Sequence, residues 1–169
     1  MFTTEEIARA VGGRLEGGNA EVSCVSTDTR SIENGALFIA IKGESFDGND
    51  YLEAAFENGA AAVMTERKKL GFEPKKPVIL VDDTRKAQLA LARYYRDKFK
   101  LKLCGVTGSV GKTSTKDMVY AVLSAKYKTL KTEGNFNNDI GLPRTLFGLD
   151  ESFEAAVIEM GMSGLGEIS

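Results

Sequence analysis

The sequence predicts an α/β protein in two parts: an N-terminal α/β domain, then the start of a parallel-sheet domain built on a phosphate-binding loop. Three observations carry this. Short apolar runs alternate with helical spacing along the whole chain, as in strand-helix layer folds. The run CGVTGSVGKTS at 104–114 joins a strand to a helix through a glycine turn that ends in Lys-Thr. A second apolar strand, Ala155 to Ile158, then delivers a carboxylate, Glu159, at its C-terminal end.

Each element has a local cause. Thr3 and Glu6 have the spacing of a capping box ahead of Ile7, Ala8 and Val11, and Gly12-Gly13 stop that helix. Arg14–Glu16 and Glu21–Val25 read as strands around the turn Gly17-Gly18-Asn19. After the break at Ser31–Gly35, Ala36–Ile41 is a strongly apolar strand. Asp50–Asn58 has helical spacing with Leu52, Ala55 and Phe56 on one face; Gly59 ends it, and Ala60–Met64 is the next strand. Pro77 opens strand Val78–Val81. Asp83-Thr84 cap a helix from about 85 to 100, with Leu89, Leu91, Ala92 and Tyr95 as its expected buried side. Strand Leu101–Val106 begins the second part, which places a domain boundary near 98 to 100. Helix Thr113–Ala125, strand Lys128–Lys131, a polar loop 132–139, a short helix around Pro143–Phe147 and strand Phe153–Glu159 follow. So few strands make an incomplete parallel sheet, since such sheets need both faces covered; the chain reads as part of a longer protein.

Composition bounds the function. Of 169 residues, 43% are hydrophobic and 27% charged, as in ordinary soluble domains, and a net charge of -2 gives no bulk attraction to nucleic acid or anionic membrane. The paired lysines 68–69 and 75–76 flank a Gly/Pro-containing loop and read as solvated surface. The N-terminus has no apolar run long enough for a signal peptide or a span. Cys24 and Cys104 lie in separate apolar stretches and read as buried, reduced thiols, so a cytoplasmic location is expected. Histidine is absent. That removes Ser-His triads and histidine general bases, leaving carboxylates, lysine, hydroxyls, backbone dipoles and a metal to do any chemistry.

The glycine turn is suited to a nucleotide triphosphate. Gly108, Ser109, Val110 and Gly111 can turn backbone N–H groups toward phosphate oxygens, and the helix N-terminus adds partial positive charge. Lys112 is placed to reach the β- and γ-phosphates, the Thr113 hydroxyl to ligate Mg2+, and Ser114 completes the motif. The strict G-x-x-x-x-G-K-[ST] spacing needs Gly at 106, which is Val106, so the pattern is the shorter T-G-x-x-G-K-T. The plainer alternative is a glycine-rich turn with a surface lysine. Glu159 at a strand end after such a loop is the Walker B arrangement and suits Mg2+; alone, such a glutamate would be structural or merely exposed.

Two other stretches remain open between chemistry and geometry. Gly134–Gly141, with Asn135, Asn137 and Asn138, is either a tight loop or a set of amide donors for phosphate and sugar oxygens. Ser26-Thr27-Asp28-Thr29-Arg30 and Lys42–Gly48 each follow a strand, where ligand loops sit. Hydroxyls with an arginine could hold a phosphate or a planar base, but on the residues alone an Asx turn with a surface salt bridge is the preferred account of 26–30.

Taken together, DTR at 28–30, FIAIKGESFDGNDY at 38–51, TGSVGKTSTKDM at 107–118, EGNFNNDIGLPRTL at 133–146 and EMGMSGLGEIS at 159–169 resemble the Mur ligases of peptidoglycan synthesis. The order and spacing span nearly the whole chain. Asn49 stands where such sequences often have His, and Ser114 where Thr is more usual. The resemblance is closest to the branch that joins D-Ala-D-Ala to UDP-N-acetylmuramoyl-tripeptide through an acyl phosphate, at the expense of ATP. It implies a UDP-muramoyl-peptide-binding domain at 1–98 and part of the ATP-binding domain at 99–169, in a monomer. It also implies that ATP binds at 108–114, that Lys112 and Glu159 are catalytic, and that Thr113 and Glu159 hold Mg2+. Asn135, Asn137 and Asn138 would face the UDP-sugar substrate, with Ser26, Thr29 and Arg30 towards its nucleotide end. The family's later adenine contacts and its amine-binding domain lie outside these residues, so this chain alone is expected to be inactive. Rival readings are a ligase of the superfamily that adds another amine, a nucleotide-dependent switch or binding module, and a small-molecule kinase.

Overall fold

The computed structural model describes residues 2–43, 46–66 and 75–162. The chain packs as two compact units, Met1–Leu91 and Ala92–Ser169. The division between these units falls inside a helix whose last turns carry Ala92 and Tyr95 into the second unit's apolar cluster.

In the first unit, β1 (Phe2–Thr3) pairs antiparallel with β3 (Glu21–Val22). Between them lies α1 (Thr4–Val11), and its capping box forms: the Thr3 N–H donates to Glu6 Oε2 at 3.0 Å and the Glu6 N–H to Thr3 Oγ1 at 3.2 Å. The main sheet has the order β2 (Arg14–Glu16), β7 (Val78–Leu80), β6 (Ala62–Thr65), β5 (Leu37–Ile39), β4 (Val25–Ser26); all neighbours are parallel except β2 with β7. The expected strand 21–25 is therefore two strands in two different sheets, split at Ser23-Cys24. The region expected as one helix over 50–58 opens with a 3-10 turn, Gly48–Tyr51, before α2 (Leu52–Glu57). Lys76, expected on the solvated surface, instead donates its ammonium to Ala60 O at 2.8 Å and Phe56 O at 3.3 Å, answering carbonyls at the C-terminal end of α2. Lys68 and Lys69 lie outside the described residues. Phe38, Leu52, Ala55, Val63 and Val78 form the core between sheet and helix.

α3 (Thr84–Arg96) corrects one side-chain expectation. Thr84, Ala87, Gln88, Leu91 and Ala92 are buried, an i, i+3, i+4, i+7, i+8 stripe, whereas Leu89 lies off it and is 37% exposed. In the second unit β8 (Lys102–Val106), β10 (Ala155–Glu159) and β9 (Thr129–Lys131) make a parallel sheet in that order. α4 (Lys112–Ser124) connects β8 to β9 and packs on β10, and α5 (Gly141–Phe147) precedes β10. The Tyr95 hydroxyl donates to Leu149 O at 2.6 Å among Phe99 and Phe147. Cys24 and Cys104 are free and half-buried rather than buried; Cys104 lies on β8, a sheet edge among the described residues, with Leu103 and Gly105 beside it exposed.

Candidate functional site

The parallel sheet of the second unit ends its strands at one edge, and the loops that leave that edge converge. β8 runs into Thr107–Gly111, whose Gly108 (φ 149) and Gly111 (φ 77) take positive φ, the latter at the entry to α4. No side chain caps α4. A helix N-terminus without a side-chain cap can receive an anion on its first N–H groups, and the helix dipole favours one there. Lys112 folds back over the loop, its ammonium donating to Gly108 O at 2.8 Å. Ser109, Val110 and Ser114 are exposed on the same turn. The Thr107 hydroxyl ties the loop to the end of β10 by donating to Met160 O at 2.9 Å.

Glu159 lies at the centre, 2% exposed at the C-terminus of β10. Its Oε1 accepts from Asn137 Nδ2 at 2.8 Å and from the Thr113 hydroxyl at 3.4 Å. Its N–H donates to Thr132 Oγ1 at 2.9 Å. Glu159 Oε2 is buried with no hydrogen-bond partner among the described residues. The Asn137 backbone is locked in turn: its carbonyl accepts from Gly161 N–H at 2.6 Å. Gly141 lets the asparagine loop fold close, since a Cβ there would lie 2.5 Å from Phe136 Cα.

Three sequence-predicted residues are therefore together: Thr113, Asn137 and Glu159. The other two asparagines are used differently. Asn138 Oδ1 accepts the Gly141 N–H at 2.8 Å and shapes the entry to α5, and Asn135 is exposed, its carbonyl accepting from the Asn137 N–H at 2.7 Å. Lys116 is the residue that sequence reasoning missed. It is 3% exposed, with Nζ 3.7 Å from Glu159 Oε2. Its place three residues after Thr113 and four after Lys112 was the available signal, because those positions share a helix face.

The donor set fits a small divalent cation in part. The Thr113 hydroxyl and the Glu159 carboxylate are hard oxygen donors in contact, and Glu159 Oε2 is a second buried oxygen that accepts no hydrogen bond among the described residues. Among the described residues no cluster of three or more acidic, histidine or cysteine side chains surrounds them. A cation here would draw further ligands from water or phosphate, as Mg2+ commonly does.

In the first unit, Ser26, Thr29 and Arg30 lie at and after the end of β4. Ser26 Oγ accepts the Asp28 N–H at 3.2 Å and Asp28 Oδ1 accepts the Arg30 N–H at 3.0 Å, an Asx turn. The Arg30 guanidinium grips the Asp28 carboxylate at 2.7 and 2.9 Å, which holds that carboxyl down at about 2. Thr29 offers its carbonyl to Asn58 Nδ2 at 2.9 Å. At the C-terminal ends of β5, β6 and β7 a cavity of about 440 Å³ is lined by Lys42, Gly43, Glu66, Asp82, Asp83 and Arg85. Of the expected loop 42–48, Glu44 and Ser45 lie outside the described residues.

Comparison with known proteins places this geometry. The Mur ligase middle domain matches residues 106–169, and the Mur ligase family catalytic domain matches residues 21–96. The UDP-N-acetylmuramoyl-tripeptide--D-alanyl-D-alanine ligase of Bacillus subtilis is 48% identical over 169 residues, covering 98% of this chain and 37% of the relative. Its namesake in Escherichia coli is 40% identical over 167 residues, covering 99% and 36%. Among solved structures, MurF from Acinetobacter baumannii superposes with a TM-score of 0.87 at 34% identity, covering 99% of this chain and 37% of that one. MurF ligase from Thermotoga maritima in complex with ADP gives 0.78 at 35% identity, covering 87% and 34%. The chain thus spans little more than a third of the length of these relatives.

Proposed function

The chain belongs to the Mur ligase family, and from that premise we propose that it supplies part of an ATP-dependent ligase that joins D-Ala-D-Ala to UDP-N-acetylmuramoyl-tripeptide. The observation that carries this reading is the contact of Thr113 Oγ1 with Glu159 Oε1 at 3.4 Å, which unites a phosphate loop with a strand-end carboxylate. Residues 1–98 are assigned to the UDP-muramoyl peptide and 99–169 to the first part of the ATP site, in a cytoplasmic monomer. Among the described residues no helix is long and apolar enough to cross a membrane.

ATP's γ-phosphoryl group passes to the peptide's terminal carboxylate, the dipeptide amine attacks the acyl phosphate, and phosphate leaves. Such chemistry asks the protein mainly for positioning and charge neutralisation, which suits a chain without histidine. Backbone N–H groups of 108–111 and the start of α4 bind phosphate oxygens, with Ser109, Val110 and Ser114 in the same turn. Lys112 exchanges its internal bond to Gly108 O for γ-phosphate oxygens. Thr113 and Glu159 hold Mg2+, which supplies charge neutralisation to the phosphates when bound. Asn137 fixes Glu159 by its 2.8 Å bond, with Asn135 and Asn138 in the loop facing the UDP-sugar. Ser26, Thr29 and Arg30 serve the uridine diphosphate end.

The test is ADP release by the full-length protein with UDP-muramoyl-tripeptide, with and without D-Ala-D-Ala. Dipeptide-dependent release is expected. Release that ignores the dipeptide would sink the assignment of the amine, and binding of nucleotide with no response to the UDP-peptide would favour a switch.

A further inference from the structure

Among the residues of α4, only Lys116 is buried, and it is 3% exposed. A core-facing helix ordinarily buries aliphatic side chains. An ammonium there is costly unless a carboxylate answers it. Glu159 does so from β10, with Oε2 3.7 Å from Lys116 Nζ; from α4 itself Asp117 Oδ1 lies 3.8 Å away, already engaged by Lys131 at 3.0 Å. Both Lys116 distances exceed a hydrogen bond, so Glu159 Oε2 is held by charge alone. The two oxygens of Glu159 therefore have separate roles. Oε1 faces Thr113 and Asn137, and Oε2 faces a fixed cation.

We propose that Lys116 is a resident cation that competes with the divalent metal for Glu159, so that the site takes up metal together with the nucleotide and not before it. The proposal rests on the reading of Glu159 as a metal ligand. A fixed positive charge at ion-pair distance already neutralises the buried carboxylate and repels a second cation. The negative charge of a bound nucleotide shifts that balance toward the metal. Lys116 is a positioning residue: its effect runs through Glu159.

The test is Mn2+ binding to the full-length protein, read from the electron paramagnetic resonance signal of free Mn2+, without nucleotide and then with ADP. Lys116→Met is expected to raise nucleotide-free Mn2+ affinity by roughly tenfold and to shrink the gain that ADP brings by about the same factor. Lys116→Gln repeats the removal of charge with a polar tip, and Lys116→Arg, which keeps the charge, is expected to stay within about twofold of the parent. Unchanged or weakened nucleotide-free binding in a folded Lys116→Met or Lys116→Gln protein would overturn the proposal; so would loss of the fold in both, which would make the lysine purely structural. Glu159→Gln separates the two levels. If it leaves Mn2+ binding intact, the metal reading itself falls and the competition with it. If it weakens binding while Lys116→Met brings no gain, only the competition falls.

Discussion

The two units bury their sheets very differently. In the first, β5 and β6 are buried at every position and α2 closes over them with Leu52 and Ala55. In the second, β10 is as fully buried, yet β8 is largely exposed and α4 leaves Met118 and Val122 69% and 75% exposed. The first unit is an apolar core with loops at its strand ends. In the second, the most buried charged groups among the described residues, Glu159 and Lys116, sit beside the glycine turn that opens α4. Burial in the second unit is concentrated in β10 and the apolar cluster of Ala92, Leu146 and Leu149, and the outer face of α4 contributes little of it.

The comparison is broken most severely by core truncation. Phe38→Ala should cost about 3–5 kcal/mol, read as lost hydrogen-exchange protection of the β5 and β6 amides in the full-length protein. Val122→Ala on exposed α4 should change protection of β8 to β10 by less than about 0.5 kcal/mol. A large effect at Val122 would show that α4's outer face is covered in the complete protein.

A smaller effect separates two neighbouring asparagines. With Glu159 proposed as a metal ligand, Asn137→Ala removes a direct bond to it and should weaken Mn2+ binding or turnover roughly 10–100-fold. Asn138→Ala removes only the bond to the Gly141 N–H and should cost about 1 kcal/mol of local stability around α5 with near-normal Mn2+ affinity. Equal effects of both on metal binding would erase the distinction drawn between them.

The smallest effect is at the surface of the first unit. The Asp28 carboxyl, held by Arg30, should titrate near 2 by carboxyl-carbon NMR and return toward its ordinary 3.8 in Arg30→Ala. Because the folded value lies below the ordinary one, the pair stabilises the fold above about pH 4, and that contribution is lost as pH falls toward 2. A titration of Asp28 near 3.8 in the parent protein would show that the pair is not held in solution.

Much of this was legible because it is local. The capping box at Thr3 and Glu6, the glycine turn into α4 and the apolar strand ending at Glu159 all depend on spacings of a few residues. The Asx turn at 26–30 was legible too, as one of two readings, and the structure forms it. Leu89 was misplaced although the needed period was present, since the stripe through Ala87, Gln88 and Leu91 excludes it. Lys116 and Lys76 were missed for another reason: a lysine reads as solvated until the chain brings it a partner, and those partners are 43 residues away at Glu159 and 16 and 20 residues away at Ala60 and Phe56.

By itself, then, the sequence determined the order of strands and helices, the glycine turn that leads through Lys112 and Thr113 into α4, and the carboxylate at a strand end, because backbone propensity and side-chain period act over one or two turns. Only the tertiary structure decided that Asn137 rather than Asn138 meets Glu159, and that a lysine is the buried side chain of α4. Those choices are set by parallel pairing of β10 with β8 and β9, which brings residues from 113 to 159 to one sheet edge. Register between distant strands has no signature in local spacing.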